Sequence, residues 1–392
     1  MSDALIPLVM MLLIFIASAV SIKFGISVAI IEIAIGVVAG NFLGMHTTPW
    51  IDFLAGFGSI LLTFLAGAEV DTKIMKEKFK ESFLIGSISF LLPFAGAFAY
   101  TYLIAGWTLK ASLIAGTALS TTSLAVVYAT LVETGLTNTK IGKIIMASCF
   151  ITDFFTALAL NVLFVDVSWY TLLFVVVSAV IIVFAPKISP YIFKKYANKV
   201  IEPEIKYIFL VLMALVFFAN LGASQAVLPA FILGLVLSRA FMKNIKLQNR
   251  LRVVAFAMIT PFFFIKGGMN VSLKEIYLNL GLLALLFIVK VGAKVIGIYP
   301  LARHYVKKDS IFTTLLMSTG LTFGTISAMF GFNAGIINKT QFSLLVTTVI
   351  LTAIIPTFIA QKWFMPDIPV NNESSDDGES SIIMENDANG GQ

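Results

Sequence analysis

The sequence contains few of the residues from which metal centres, disulfide frameworks and soluble surfaces are built. It has one cysteine, Cys149, which rules out a disulfide framework within the chain. With only two histidines in addition, His46 and His304, it cannot form a Cys/His zinc cluster. Only 12% of the 392 residues are charged, whereas soluble domains carry about 25%. The composition therefore excludes an ordinary soluble domain.

Several functional motifs are also absent. The sequence has no Walker-A phosphate loop, no His-Glu-x-x-His zinc motif and no second membrane helix whose aspartate could complete a protease dyad. It also lacks the Thr-Val-Gly-Tyr-Gly run of potassium-channel filters. We therefore expect no enzymatic activity, no direct use of ATP and no bound cofactor.

Apolar residues, in contrast, make up 59% of the chain. They form thirteen segments of the length that a helix needs to cross about 30 Å of hydrocarbon. We predict an all-α polytopic membrane protein with about thirteen transmembrane helices. The segments span 4–22, 25–44, 50–70, 82–104, 110–131, 140–165, 168–193, 204–222, 225–242, 252–270, 275–301, 309–334 and 340–362.

The basic residues predict the orientation. Twenty lysines and arginines fall on one side of the predicted membrane, and three, Lys110, Lys274 and Lys339, fall on the other. By the positive-inside rule, the N-terminus lies outside and the C-terminus is cytoplasmic, in a multi-pass protein of the cell membrane. We thus expect membrane lipids, and no nucleic acid, as partners. The basic side comprises Lys23, Lys362 and the loops 71–81, 132–143, 194–206, 239–252 and 302–308.

The chain divides into a transmembrane domain, 1–365, and a short tail, 366–392. The tail contains seven acidic residues, no lysine or arginine, and many Ser, Asn and Gly residues. This composition predicts a disordered cytoplasmic segment.

An odd number of helices fits an inverted repeat of six helices, a linker helix at about 168–193, and six more. The fifth helix of each half is interrupted by Ser, Thr and Gly residues, at 116–123 and at 318–327. Such runs at corresponding positions predict two crossed, broken helices around a midplane site. The alternative is that the small residues only allow close helix packing.

Asp153 lies in the apolar segment 140–165. A carboxylate there costs about 3 kcal/mol on insertion scales, so a functional role is its default interpretation. Burial disfavours the charged form, so a proton and a cation such as Na⁺ would compete for this group. A structural ion pair is the alternative role. Further oxygen ligands could come from Thr152, Ser120, Thr121, Thr122 and Ser123.

Lys290 and Lys294 are four residues apart and share one face of the eleventh helix. A buried ammonium needs a partner, so we expect these lysines to balance charge at the cation site. Lys294 lies nine residues, about 13 Å, from the loop arginine Arg303, so it cannot easily reach the interface. A fixed positive charge and a group that releases its proton when the cation binds both remain open.

We expect structural roles for three further charged residues. For Glu69 and Glu32 we favour a charge pair over a role as ion ligand, and for Lys266, at a predicted bend, we favour an interhelical salt bridge. A ridge of small residues predicts helix packing, with a dimer contact as one option. The ridge consists of Gly36, Gly40 and Gly44.

Taken in order, these residues resemble the monovalent cation:proton antiporter-2 family. That family includes sodium/proton antiporters and the membrane part of glutathione-gated potassium efflux systems. The resemblance runs nearly end to end. The matching segments are Glu32 with Gly36 and Gly40, Leu-Ala-Gly-Ala-Glu-Val-Asp at 65–71, Leu-Ser-Thr-Thr-Ser-Leu-Ala-Val-Val at 119–127, Thr152 with Asp153, Gly-Leu-Val-Leu-Ser at 234–238, Pro-Phe-Phe-Phe at 261–264 and Lys-Val-Ile-Gly at 294–297.

The resemblance implies a core domain at about 82–165 and 275–362, a dimer domain at about 4–70 and 204–270, and an elevator movement of the core. It implies that Asp153 binds the ion and that Lys294 is the core lysine. Many relatives have Asp, Asn or Gln where this chain has Thr152. With one carboxylate, the simplest stoichiometry is one cation for one proton.

We therefore expect a homodimeric secondary active antiporter that exchanges a monovalent cation for H⁺ without net charge transfer, in sodium transport and pH homeostasis. Na⁺ is the first candidate, with Li⁺ and K⁺ as alternatives. Two other classes remain open. One is a cation channel or K⁺ efflux protein, and the other is a sensor or receptor that transports nothing.

Overall fold

The computed structural model describes residues 5–24, 27–70, 78–137, 139–164, 168–196, 199–222 and 224–366. Within these ranges the chain is helical and contains no β-strand, which confirms the predicted all-α class. Two predicted features lie outside the described residues. They are the acidic tail beyond Pro366 and residues 71–77 of the first basic loop.

Thirteen helical units lie within the described ranges, one for each predicted segment. The first half consists of α1 (Ile6–Phe24), α2 (Val28–Phe42), α3 (Pro49–Ala68), α4 (Phe79–Ala99, with a π-helical turn over Tyr100–Ile104), α5a (Leu109–Ser120), α5b (Leu124–Glu133) and α6 (Lys140–Leu163). The linker helix is α7 (Trp169–Lys195).

The second half repeats this order. It consists of α8 (Pro203–Leu221), α9 (Val227–Lys243), α10a (Ile245–Val254), a π-helical turn (Ala255–Ile259), α10b (Thr260–Met269), a short helix (Leu273–Leu278), α11 (Leu280–Tyr305), a 3-10 turn (Lys307–Asp309), α12a (Ser310–Met317), α12b (Thr322–Asn333) and α13 (Lys339–Trp363).

Eleven of these units, within the described residues, are long and apolar enough to cross a bilayer. The other two are α2, which is apolar but has 15 residues, and α9, which has 17 residues and carries Arg239 and Lys243 near its end. The number of thirteen crossings stays a prediction for these two helices.

Polar side chains determine where four of the helices, α5a, α6, α7 and α13, begin. The side chains of Thr108, Thr139 and Ser168 accept hydrogen bonds from backbone N–H groups three residues further on, at the starts of α5a, α6 and α7. Such N-caps satisfy donors that the first helical turn leaves unpaired. A capping box between Asn338 and Gln341 does the same for α13.

The close packing of α3 on α9 depends on two glycines. A Cβ on Gly67 of α3 would collide with the carbonyl oxygen of Phe231, and a Cβ on Gly234 of α9 would collide with that of Phe64. Only glycine therefore allows the two backbones to approach this closely.

The same contact recurs between α2 and α10b. Gly36 of α2 lies against the carbonyl of Ile265, and Gly268 of α10b lies against that of Ile33. Since α2 corresponds to α9, and α3 to α10, the two crossings are related by exchanging the halves of the chain, as the predicted repeat requires. Of the glycine ridge, Gly36 and Gly40 thus pack within the chain, against Ile265 and Met269, so neither is available for a dimer contact, whereas no atom lies within 4 Å of a Cβ built on Gly44.

The breaks in α5 and α12 meet each other. The hydroxyl of Thr122 donates to the carbonyl oxygen of Met317 at 3.0 Å, and the backbone N–H of Ser123 donates to the hydroxyl of Thr319 at 3.3 Å. The prediction of two crossed, broken helices is confirmed. Polar groups freed at each break find partners in the other, which a lipid environment requires.

Candidate functional site

Asp153 lies on α6 next to the two helix breaks and is 1% exposed. Its Oδ1 atom has no hydrogen-bond partner among the described residues. No lysine or arginine in those ranges lies within 4.0 Å of its carboxylate, so the alternative of a direct structural ion pair finds no partner there. A buried carboxylate oxygen without a partner is available to a proton or a cation.

Lys294 of α11 lies on the other side of the α5 break. Its Nζ atom donates to Ser89 of α4 at 2.7 Å and to Thr122 at 2.9 Å, and its side chain is fully buried. It is also close enough to Asp153 for a favourable Coulomb interaction. The Lys294 Nζ atom thus has two hydroxyl partners and lies near the carboxyl group of Asp153.

Lys290, one turn earlier, faces the other break. Its Nζ atom is fully buried and has no hydrogen-bond partner among the described residues. A Cβ on Gly320, in the α12 break, would collide with this atom. The two lysines share a helix face as predicted, but one is directed at each break.

The four predicted oxygen donors of the α5 break have different surroundings. Thr122 contacts Lys294 and lines the same cavity as Asp153. Ser120 and Thr121 donate back to carbonyls of α5a, at 2.9 and 3.0 Å, and Ser123 accepts from the N–H of Val126 at 3.4 Å. The structure therefore brings Thr122 into one cavity with Asp153 and uses the other three to shape the break.

Thr152 faces away from that cavity. Its hydroxyl donates to the carbonyl of Ser148 at 3.0 Å and to that of Gly86 on α4 at 3.3 Å. It ties α6 to α4, next to Asp153 in the sequence but on another side of the helix.

The cavity at Asp153 has a volume of about 270 Å³. Its wall consists of residues from α3, α5b, α6, the α10 region and α12b. Glu69 and Arg252 also line it, joined by a salt bridge of 2.7 Å between Arg252 Nη2 and Glu69 Oε1. The cavity therefore links the buried carboxylate to an ion pair whose side chains are 24% and 34% exposed.

A larger cavity of about 440 Å³ lies between α3, α8, α10b and α12b and does not include Asp153. It contains the ion pair of Lys266 with Asp52, at 2.7 Å. The two cavities come close to each other at α12b. Phe323 lines the smaller cavity and Ile326, about one helical turn further on, lines the larger. Phe323 packs edge-on against Phe231 between them.

The structure also shows the surroundings of the other three charged residues, Lys266, Glu69 and Glu32. Lys266 forms an interhelical salt bridge, and Glu69 pairs with Arg252 and not with a described lysine of the loop that follows it. Glu32 is 2% exposed on α2 and has no ion-pair partner within the described ranges.

Two residues of the site, Ser89 and Arg252, do not stand out in the sequence. Ser89 is one hydroxyl in an apolar helix and carries no distinguishing pattern. In the sequence, Arg252 is one of the twenty basic residues that predict the orientation. Its partnership with Glu69 depends on α3 and α10 coming together in three dimensions, which the sequence does not reveal.

A helical fold with two crossed breaks beside one buried carboxylate defines a membrane transporter. The family model described as "Sodium/hydrogen exchanger, transmembrane" matches residues 9–364, so the chain belongs to the sodium/hydrogen exchanger family. This confirms the resemblance found in the motifs, under a slightly different family name than antiporter-2.

Individual relatives agree with this assignment. The chain is 29% identical over 372 residues to the "Probable Na(+)/H(+) antiporter 3" of Methanocaldococcus jannaschii, covering 90% of this chain and 94% of that one. It is 24% identical over 382 residues to the "Na(+)/H(+) antiporter" of Enterococcus hirae, covering 91% and 96%.

A solved structure has the same fold. It is that of the sodium proton antiporter MjNhaP1 from Methanocaldococcus jannaschii, with a TM-score of 0.68, 12% identity, and coverage of 92% of this chain and 97% of that chain.

Proposed function

We propose that this protein is a secondary active antiporter in which Asp153 binds either a monovalent cation, Na⁺ before Li⁺ or K⁺, or a proton. The observation that carries the proposal is the free Oδ1 atom of Asp153, buried in a cavity wall beside two helix breaks. Hard cations prefer oxygen ligands. Besides the carboxylate, the cavity offers the hydroxyl oxygen of Thr122 and room for water.

Competition at one carboxylate couples the two fluxes. The site carries the cation in one direction with Asp153 ionised, and carries the proton in the other direction with Asp153 neutral. Without either ion, the site would hold an ionised carboxylate and an ammonium that do not contact each other directly, and two such separated charges are costly to move through a low-dielectric barrier. An empty site therefore stays in place, and leak is suppressed.

Because Na⁺ and H⁺ each bring one positive charge to Asp153, the occupied site has the same charge in both states as long as Lys294 keeps its own proton. With Lys294 as an ammonium, the sodium-bound site carries one net positive charge, and the protonated site also carries one. The exchange of one Na⁺ for one H⁺ is then electroneutral.

The two cavities support an alternating-access movement. We assign α4–α6 and α11–α13 to a moving core, and α1–α3 and α8–α10 to a dimer scaffold, with α7 as the link. The barrier along α12b is about one helical turn, or 5 Å. A sliding of the core by a comparable distance would transfer Asp153 from the smaller cavity to the larger, as in an elevator.

The basic loops support a cytoplasmic position for the Glu69 end of the smaller cavity, in a cell-membrane protein whose N-terminus lies outside. We propose a homodimer within the lipid bilayer, and the largely apolar exposed surfaces of α1 and α7 are compatible with contact to lipid and to a second copy alike.

The test is transport by the purified protein in liposomes under an imposed membrane potential. We expect saturable Na⁺ influx that requires an opposite proton flux and does not change with voltage, since no net charge moves. Uncoupled cation current would identify a channel, and voltage-dependent coupled exchange would overturn electroneutrality. Fluorescence dequenching in everted vesicles, with Na⁺, Li⁺ and K⁺ added in turn, ranks the cations.

A further inference from the structure

The wall of the Asp153 cavity contains one arginine, which is unexpected on a route for cations. Among the lining residues, the charged groups are Asp153, Glu69 and Arg252. Arg252 presents two nitrogens to Glu69 Oε1, with Nε at 2.8 Å and Nη2 at 2.7 Å. Both side chains are partly exposed, so the pair lies where the cavity meets solvent.

Arg252 is held in this wall by the short helix α10a. Two residues earlier, Arg250 contacts Glu202 at 2.8 Å and the fully buried Glu204 at 3.4 Å, which ties α10a to the start of α8. Glu69 caps the end of α3. Since both partners belong to the scaffold helices, the pair stays at the cavity mouth when the core moves.

An unneutralised guanidinium at this mouth would repel an entering cation. Arg252 cannot lose its charge at physiological pH, so neutralisation must come from a neighbouring anion. Glu69 is the one carboxylate in the cavity wall besides Asp153. In a partly desolvated mouth, one unbalanced charge about 10 Å away changes local ion occupancy by several-fold, up to about tenfold.

We infer that Glu69 neutralises Arg252 so that cations can pass from solvent to Asp153, and that this pair sets the apparent affinity for Na⁺ at one membrane face. The inference rests on the proposed function. The Glu69–Arg252 pair then controls cation entry, in addition to holding α3 and α10 together.

Substitutions in the pair should therefore act in opposite directions. Glu69→Gln leaves Arg252 unbalanced, and we expect the KM for Na⁺ to rise several-fold. Arg252→Gln leaves a free carboxylate at the mouth, and we expect the KM to fall. The double variant Glu69→Gln/Arg252→Gln restores neutrality and should return near the wild-type KM. The kcat should change by less than about twofold in all three, because Asp153 and Lys294 are untouched.

The measurement is exchange driven by NaCl in everted and in right-side-out vesicles, at low ionic strength and again with added choline chloride. Mobile ions screen over about 30 Å at 0.01 M and about 10 Å at 0.1 M. The KM differences should therefore shrink at the higher salt. They should occur at one membrane face, which is the cytoplasmic one in the proposed orientation.

Asp52→Asn is the matched control. It unbalances the Lys266 pair by the same chemical change, but in the cavity that does not contain Asp153. We expect no KM change at the face that responds to Glu69→Gln. Arg252→Lys keeps the charge and should keep the wild-type KM, and the melting temperature of each purified variant shows whether it folds.

Two results would overturn the inference. One is a KM that rises, or stays constant, in both single variants, since a structural tie predicts the same direction for both. The other is a KM shift that persists unchanged at high salt. Failure of the proposed function is distinguishable, because it would appear as wild-type exchange in the Asp153→Asn protein whatever the Glu69 variants do.

Discussion

Asp153→Asn abolishes cation/proton exchange, with a rate at least about 100-fold below that of the wild-type protein in everted vesicles. The amide can neither take up and release a proton nor offer a negative charge to a cation. Its size and shape match those of the carboxyl group, so the packing around α6 is retained. The protein should reach the membrane at normal levels and keep its melting temperature.

The same substitution at Asp52 is the control for the loss of a carboxylate as such. Asp52→Asn removes a charge from the larger cavity, and exchange should persist. Substantial exchange by a well-folded Asp153→Asn protein would show that the ion is carried elsewhere.

Lys294→Met removes the charge that we assign to balancing Asp153 and keeps a side chain of similar length. The ionised form of Asp153 then loses its one nearby positive charge, and burying a carboxylate without a compensating charge costs several kcal/mol. Asp153 would avoid most of this cost by retaining its proton, so the cost is transferred to cation binding. We expect the KM for Na⁺ to rise by about 100-fold, the equivalent of roughly 3 kcal/mol.

Lys290→Met is the matched comparison, since it makes the same change one turn away. Lys290 has no hydrogen-bond partner among the described residues, whereas Lys294 has two. We expect a KM change below about tenfold and an unchanged or higher melting temperature. Equal losses in the two variants would contradict the assignment of charge balance to Lys294. The KM for Na⁺ and the melting temperature of each variant are the measurements.

Much of the fold follows from the sequence because lipid leaves few options. Each apolar segment of sufficient length must satisfy its backbone internally, so hydropathy alone locates the helices. The breaks in α5 and α12 were predictable for the same reason. Ser, Thr and Gly at membrane depth mark places where the backbone finds partners outside its own helix, as Thr122 does with Met317.

The direction in which each side chain points was harder to predict from the sequence. Adjacent residues on a helix point about 100° apart, so Thr152 beside Asp153 in sequence faces α4 and not the cavity. Within the α5 break, the irregular backbone has no fixed period, and sequence could not distinguish Thr122 from Ser120 or Thr121. Each of those two hydroxyls finds a carbonyl in its own helix instead.

Long-range partners required the three-dimensional arrangement. Gly36 on α2 carries the same small-residue signal whether it packs within the chain or across a dimer, and only its contact with Ile265 distinguishes the two. Likewise, Glu69 is followed by a lysine-rich loop, yet it pairs with Arg252, distant in sequence, because α3 and α10 come together at the end of the cavity.

The central claim is that cation and proton compete for Asp153, and proton release on cation binding tests it most directly. Purified protein in a lightly buffered detergent solution is titrated with NaCl, with choline chloride as the control, while the pH is recorded. We predict release approaching one proton per chain at saturating Na⁺ and none from Asp153→Asn. Sodium binding without proton release, or equal release from Asp153→Asn, would contradict the claim.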